Sequence, residues 1–131
     1  KVDTSTLINH PSVVDVTLYH DMQELLCVSN MLITDYSSSM FDYAMLRRPT
    51  ILYATDVEQY DRGYYYDFGE LPFPLARNLD ELNSLIEGFD MPSYQRRLQA
   101  FLDERLGVVE RGVASEHLAR WMAQHSIASP R

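Results

Sequence analysis

The sequence predicts an α/β domain built on a doubly wound parallel sheet. Two short, continuous apolar runs, Met31–Thr34 and Thr50–Tyr53, have the length and composition of strands buried on both faces of a parallel sheet. A third run, Ser12–Leu18, alternates and is rich in Val and Thr, which predicts a further strand. Helical patterns separate the strands over short joints, and this strand–helix–strand alternation is typical of doubly wound sheets.

The two helices between these strands follow from caps and apolar spacing. Asp21 can cap a helix over Met22–Ser29, because its carboxylate can accept from free backbone N–H groups in the first turn. A second helix is predicted over Met40–Leu46, where apolar residues recur at helical spacing, and Pro49 ends it.

The second half of the sequence predicts a long surface segment and then three helices. Asp56–Phe68 is dense in Tyr and Asp, and Gly69–Pro74 is rich in Pro, so the two together predict an irregular loop. Long ordered loops are usually functional. The three helices are Leu79–Gly88 with Asn78 or Asp80 as its cap, a helix from about Pro92 to Leu106, and Ala114–His125.

Composition limits the function classes open to the protein. The 131 residues carry 11 basic and 19 acidic side chains, a formal net charge of −8, which disfavours broad nucleic-acid binding and a polybasic membrane anchor. The single cysteine, Cys27, excludes an internal disulfide and predicts a reducing compartment. No apolar run approaches the ~20 residues of a bilayer-spanning helix, so we expect a soluble, cytosolic-type domain.

The segment most informative about chemistry is Thr34–Ser39, with the sequence TDYSSS. It is predicted to follow the carboxyl end of a buried strand and to open a helix, which is where open α/β sheets bind ligands. A helix start offers free N–H groups and about half a positive charge, which together suit a phosphate. The hydroxyls of Ser37, Ser38 and Ser39 can donate further hydrogen bonds to the phosphate oxygens, and Asp35 belongs to the same candidate site. The alternative, that one serine only caps the helix, stays open.

A second candidate group lies in the long loop. The guanidinium of Arg62, beside the flexible Gly63, suits a clamp on a diphosphate. The alternative is an ion pair of Arg62 with a neighbouring carboxylate, and spacing alone favours that alternative. The sequence has no metal-ligand spacing, no glycine-rich phosphate loop and no G-x-S-x-G elbow, so it predicts no metal and no cofactor and disfavours a hydrolase.

Taken together, these motifs resemble those of the CDP-glycerol glycerophosphotransferase family, the teichoic-acid primases and polymerases of bacterial cell-wall synthesis. The resemblance extends from about Val14 to Trp121. The matching pieces are Asp21–Ser29, Ile33–Ser38, Phe41–Tyr43, Arg48–Pro49, Tyr53, Asp56, Tyr60, Arg62–Tyr64, Glu70–Pro74 and Gly112–Ser115.

The resemblance implies a GT-B architecture, in which two Rossmann-like domains enclose the active site. Residues 1–126 are then a partial carboxy-terminal, nucleotide-binding domain, and residues 127–131 are a tail. The implied reaction transfers glycerol phosphate from CDP-glycerol to a wall or capsule polymer with release of CMP. By the same resemblance, Ser37 and Ser38 lie at the donor diphosphate, and Arg62–Tyr64 lie in the loop beside it.

The resemblance also implies what lies outside this chain. The acceptor is expected to bind to the missing amino-terminal domain, and the full-length protein to work at the cytoplasmic face of the membrane through other parts, so the fragment alone should be inactive. His10-Pro11 is similar to a His-Pro motif of the family but lies too close to the first predicted strand. The similarity makes His10 a candidate for the catalytic base, and because of its position we leave the base unassigned.

The family pattern is not matched everywhere. Pro72-Phe73-Pro74 stands where the family usually has Pro-Gly-Pro, so this loop can differ in shape. Two other functions stay open. One is a GT-B glycosyltransferase that uses another nucleotide-sugar, and the other is a flavodoxin-like binding or regulatory module without catalysis.

Overall fold

The computed structural model describes residues 10–59, 66–107 and 112–125. Within them, three strands form one parallel sheet in the order β1 (Leu32–Thr34), β2 (Thr50–Tyr53) and β3 (Leu75–Ala76). The helices of the same regions are α1 (Met22–Val28), α2 (Ser39–Ala44), α3 (Leu79–Glu87), α4 (Met91–Glu104) and α5 (Ala114–His125). Short 3₁₀ turns occupy Val57–Gln59 and Phe68–Glu70.

Helices cover both faces of this sheet. Successive residues of β2 point to opposite faces, and each packs against a different set of helices. Leu52 belongs to a core with Met40 of α2 and Leu98 of α4, whereas Ile51 packs in a second core with Leu82 of α3. The prediction of a doubly wound parallel α/β sheet is therefore confirmed. None of the described helices has the length and apolar character needed to cross a bilayer.

The predicted strand Ser12–Leu18 is wrong. Every residue of that run is exposed, and the chain turns instead of pairing. The carboxylate of Asp15 accepts hydrogen bonds from the Thr17 N–H at 2.9 Å and from the Thr17 hydroxyl at 2.5 Å. A local side-chain turn of this kind competes with extended backbone, and no neighbouring strand of the described sheet compensates for it.

Burial of β1 is also less complete than predicted. Ile33 is 44% exposed, although its register partner Ile51 is fully buried on the same face. The helix on that face, α3, packs on β2 and β3, and β1 lies at the edge of the sheet. Within the described sheet, the central strand is therefore buried on both faces, whereas β1 is half-buried on one face and exposed on the other.

The segment Gly69–Pro74 was predicted as surface loop, but part of it enters the core. Leu71 and Phe73 are buried, and the Phe73 ring lies 6.4 Å from that of Phe101 on α4. The segment leads directly into β3, a strand of two residues that the sequence analysis missed. Pro74 accepts the Leu52 N–H at 2.8 Å and so continues the pairing beside β2.

The five predicted helices are present; Asp21 and Asn78 cap α1 and α3 as predicted, whereas the cap of α4, Asp90, was not predicted. Asp21 accepts from the Glu24 N–H at 3.0 Å, Asn78 from the Glu81 N–H at 2.9 Å, and Asp90 from the Ser93 N–H at 3.0 Å. These side chains satisfy donors that a helix start leaves free. Residues 1–9 and 126–131 lie outside the described residues, so the division into a domain of residues 1–126 and a tail stays a prediction.

A buried tyrosine joins α4 to the amino ends of the strands. The Tyr94 ring is fully buried, and its hydroxyl donates to the Arg48 carbonyl at 2.9 Å. Burial raises the pKa of Tyr94 above its ordinary value, so the hydroxyl stays protonated and keeps donating. Arg48 in turn donates to the carbonyls of Cys27 and Ser29, which the end of α1 leaves free.

Candidate functional site

The candidate site is the edge of the sheet at which all three strands end. Because the strands are parallel, the residues that follow them meet at this edge. Asp35 follows β1, Ala54–Asp56 follows β2, and Arg77 follows β3. The serine-rich joint thus lies on the side of the sheet that the sequence predicted.

Within this joint, Ser37 makes the local hydrogen bonds that open α2. Its hydroxyl oxygen accepts from the Ser39 N–H at 3.3 Å and lies 2.9 Å from the Ser39 hydroxyl oxygen. Its carbonyl accepts from the Met40 N–H at 3.2 Å. The alternative that a serine merely supports the helix start therefore describes Ser37 well.

Ser38 differs from its neighbour. It occupies the capping position of α2 with helical backbone angles, φ −61° and ψ −13°, and its side chain makes no capping hydrogen bond. Its side chain is exposed, as is that of Asp35. Helix capping therefore does not account for the Ser38 hydroxyl, which is open to a ligand at this edge.

A tyrosine–aspartate contact ties the serine joint to the loop after β2. The Tyr36 hydroxyl donates to Asp56 Oδ1 at 2.6 Å, and the Tyr36 ring meets the edge of Phe68 with centroids 5.8 Å apart. Both residues belong to segments singled out from the sequence, Thr34–Ser39 and Asp56–Phe68, but the contact between them was not predicted. The contact could have been predicted from strand order: strands that are sequential in the chain commonly pair, so the loops that follow β1 and β2 are expected to lie side by side.

A cavity of about 240 Å³ opens beside this contact. It is lined by Ala54, Thr55, Asp56, Val57, Glu58 and Arg77. Arg77 was missed by the sequence analysis because β3, which positions it, is too short to produce a periodic pattern. Its backbone is fixed by a hydrogen bond of 2.8 Å from its N–H to Glu81 Oε2.

The roles of three further predicted site residues, Arg62, Gly63 and His10, stay predictions. Arg62 and Gly63 lie outside the described residues, so their role at a diphosphate stays a prediction. His10 lies in an exposed turn, where its Nδ1 accepts from the Ser12 N–H at 3.2 Å. The objection that a strand follows it too closely was wrong, and its role as a base stays a prediction.

The charges at the edge decide how an anion can be held. Among the described residues that immediately follow the strands, Asp35, Asp56 and Glu58 are acidic and Arg77 is basic. Among these described residues, the donors available to a phosphate beside Arg77 are neutral hydroxyls and backbone N–H groups. Residues 10–59, 66–107 and 112–125 contain no group of three or more His, Cys, Asp or Glu side chains that could hold a metal ion.

The fold defines a parallel α/β domain with the hydroxyl groups of its serine joint at the carboxyl edge of the sheet. Comparison with known proteins is more specific. Residues 3–123 match the sequence profile of the CDP-glycerol:poly(glycerophosphate) glycerophosphotransferase family, and the chain belongs to that family. The family prediction is therefore confirmed.

The similar proteins act in teichoic acid synthesis. The chain is 38% identical over 116 residues to a teichoic acid poly(glycerol phosphate) polymerase of Staphylococcus epidermidis, and 43% identical over 80 residues to a teichoic acid glycerol-phosphate transferase of Staphylococcus aureus. These alignments cover 80% and 58% of the chain but 15% and 21% of the relatives. Ribitol-phosphate polymerases and a ribitol-phosphate primase are similar at 30–35% identity.

Solved structures of the wall teichoic acid polymerase TagF share the fold. One variant structure superimposes with a TM-score of 0.74 at 36% identity, and a second, soaked with CDP-glycerol, with 0.71 at 34%. They cover 94% and 92% of this chain, which spans 31% and 32% of theirs. TagF is of the GT-B type, which confirms the predicted fold class. The chain thus corresponds to about a third of the TagF chain in these structures and to a smaller share of the full-length relatives.

Proposed function

We propose that the protein containing this chain transfers glycerol phosphate from CDP-glycerol to a wall or capsule polymer, and that this chain supplies the donor-binding part. The observation that carries the proposal is the family match over residues 3–123, together with the exposed Ser38 hydroxyl at the ligand edge. The TagF structure soaked with CDP-glycerol supports the nucleotide donor.

The proposed reaction is attack by an acceptor hydroxyl oxygen on the β-phosphorus of CDP-glycerol. A new phosphorus–oxygen bond forms to the acceptor, the bond to the bridging oxygen breaks, and CMP leaves with the electron pair. The acceptor proton passes to a base, which we leave unassigned. Catalysis of phosphoryl transfer depends on positioning and on charge stabilisation, and neutral donors at the serine joint supply part of both.

Glycerol phosphate is preferred to ribitol phosphate as the transferred group because the glycerol-phosphate polymerase and transferase are 38% and 43% identical to this chain where they align, against 30–35% for the ribitol-phosphate enzymes. The full-length protein should release CMP from CDP-glycerol faster than from CDP-ribitol, and should not release a nucleotide from a UDP-sugar. Nucleotide release at varied donor concentration measures this preference. A preference for a UDP-sugar would contradict the proposal and support a GT-B glycosyltransferase.

The partners of the full-length protein are part of the same proposal. Because this chain corresponds to a minor part of its relatives, we place the acceptor site and the membrane contact in the remainder of the protein. The protein would then work at the cytoplasmic face of the membrane as a peripheral protein. High salt or alkaline carbonate should release it from isolated membranes. Release only by detergent would contradict peripheral attachment.

A further inference from the structure

A second recess lies at the opposite edge of the sheet from the serine joint. It is an open groove of about 670 Å³ lined by Arg47, Pro92, Gln95, Arg96, Leu98 and Gln99. Arg47 lies in the joint that leads into β2, and the Tyr94 hydroxyl bonds the Arg48 carbonyl beside it. Both walls of the groove are thus attached to the amino ends of the strands, away from the edge where the donor would bind.

The groove is built from one face of α4 and one side chain of the joint. Pro92, Gln95, Arg96 and Gln99 recur at spacings of three and four residues, which places them along one face of the helix. The buried side chain of Leu98 forms its base. Polar side chains therefore stand along a rigid helix rather than on a loop.

A chain of hydrogen bonds orients Arg47 across the groove. Its guanidinium donates to Gln99 Oε1, and Gln99 Nε2 donates to Asp103 Oδ2 at 2.6 Å. Arg47 is the one non-glycine residue of the described chain with a positive φ, 57°. That backbone conformation is unfavourable for arginine, and it ends the turn that follows α2, a position at which helices commonly place a left-handed residue.

The lining selects for an anion. Two guanidinium groups and two amides line the groove, and no carboxylate lies among its described lining residues, although the whole chain has a net charge of −8. One guanidinium group can bind two phosphate oxygens at once through parallel N–H groups. It has five N–H donors, so it can do so while another of them is already engaged. The described lining also contains no aromatic ring to stack a nucleotide base and no exposed apolar cluster to enter a lipid layer.

We propose that this groove binds phosphodiester units of the growing poly(glycerol phosphate) chain. The inference rests on the proposed function, which makes such a polymer the product. The groove lies at the edge opposite the donor edge, so it would hold polymer already made and not the reacting end. A second attachment of this kind raises the local concentration of the acceptor and favours repeated transfer to one chain.

The test is equilibrium binding of labelled poly(glycerol phosphate) to the full-length protein without donor. Arg96→Gln removes one charge from an exposed position, and Arg47→Gly removes the other while tolerating the positive φ. Each should raise the Kd about two- to fivefold, the range of exposed ion pairs, and added salt should weaken binding to the unsubstituted protein most. Arg97→Gln is the matched control, because Arg97 is exposed on the same helix but does not line the groove.

Three results would overturn the inference. An unchanged Kd in both groove variants would exclude the site. Equal weakening by Arg97→Gln would indicate attraction to the whole basic helix surface. Loss of binding to anionic vesicles, with polymer binding intact, would indicate a lipid headgroup. Because no donor is present, these results are independent of whether CDP-glycerol is the donor, which CMP release decides separately. With donor added, the groove variants should raise the KM for long acceptors and leave the shortest acceptors unaffected.

Discussion

Ser38→Ala should lower glycerol phosphate transfer by the full-length protein about tenfold to a hundredfold. The hydroxyl is exposed at the carboxyl edge of the sheet and is not used to cap α2. A hydrogen bond to a charged group contributes about 1.5–3 kcal/mol, and this magnitude, lost from the bound diphosphate, corresponds to the stated decrease. Measured kcat/KM for CDP-glycerol checks the prediction, and the free energy of unfolding should change by less than about 0.5 kcal/mol.

Ser37→Ala is the matched comparison for this variant. The Ser37 hydroxyl accepts the Ser39 N–H, so its loss should reduce the free energy of unfolding by about 0.5–1 kcal/mol. Ser38→Ala should therefore affect transfer without stability, whereas Ser37→Ala should affect stability. If Ser38→Ala instead destabilised the domain and left donor affinity unchanged, the serines would be structural, as in a flavodoxin-like binding module.

Phe101→Ala should destabilise this domain by about 3–5 kcal/mol, the usual effect of removing a buried phenylalanine. The side chain is 5% exposed, and its ring contacts the rings of Phe41, Tyr66 and Phe73 at centroid distances of 5.4–6.4 Å. It thereby joins α4, α2 and the segment before β3. The opening free energy of the β2 amides, from hydrogen exchange of the full-length protein, should fall by the stated amount.

Leu79→Ala provides the control for Phe101→Ala. Leu79 is also a large apolar residue in a helix, but it is 61% exposed, so its truncation should change the opening free energy by less than about 0.5 kcal/mol. Similar effects of the two substitutions would show that the aromatic cluster does not hold the helices to the sheet. The position of the serine joint would then depend on other contacts.

Much of the secondary structure could be predicted because its signals are local. The four residues of Thr50–Tyr53 form β2 over the same bounds as predicted, and α5 also has its predicted bounds. Asp21 and Asn78 cap their helices through atoms only a few residues away. A cap or an apolar period acts within its own segment, so neighbouring elements do little to change it.

The errors occurred where a local pattern depended on a partner. Val and Thr alternate in Ser12–Leu18 as they would in a strand, but a strand requires a neighbour, and the Asp15 turn forms instead. Leu75–Ala76 has no pattern of its own and becomes β3 by pairing with β2. Phe73 lies between prolines, as in a surface loop, and is buried because α4 packs against it.

The sequence by itself determined the family, the class of fold and the serine joint, since these follow from motifs whose residues are neighbours in the chain. Only the tertiary structure decided which side chains share a site. It joined Tyr36 to Asp56, placed Arg77 at the carboxyl edge of the sheet, and brought Arg47 to the face of α4 that carries Arg96. These residues are distant in sequence, and their proximity results from strand order and helix packing, which no local pattern encodes.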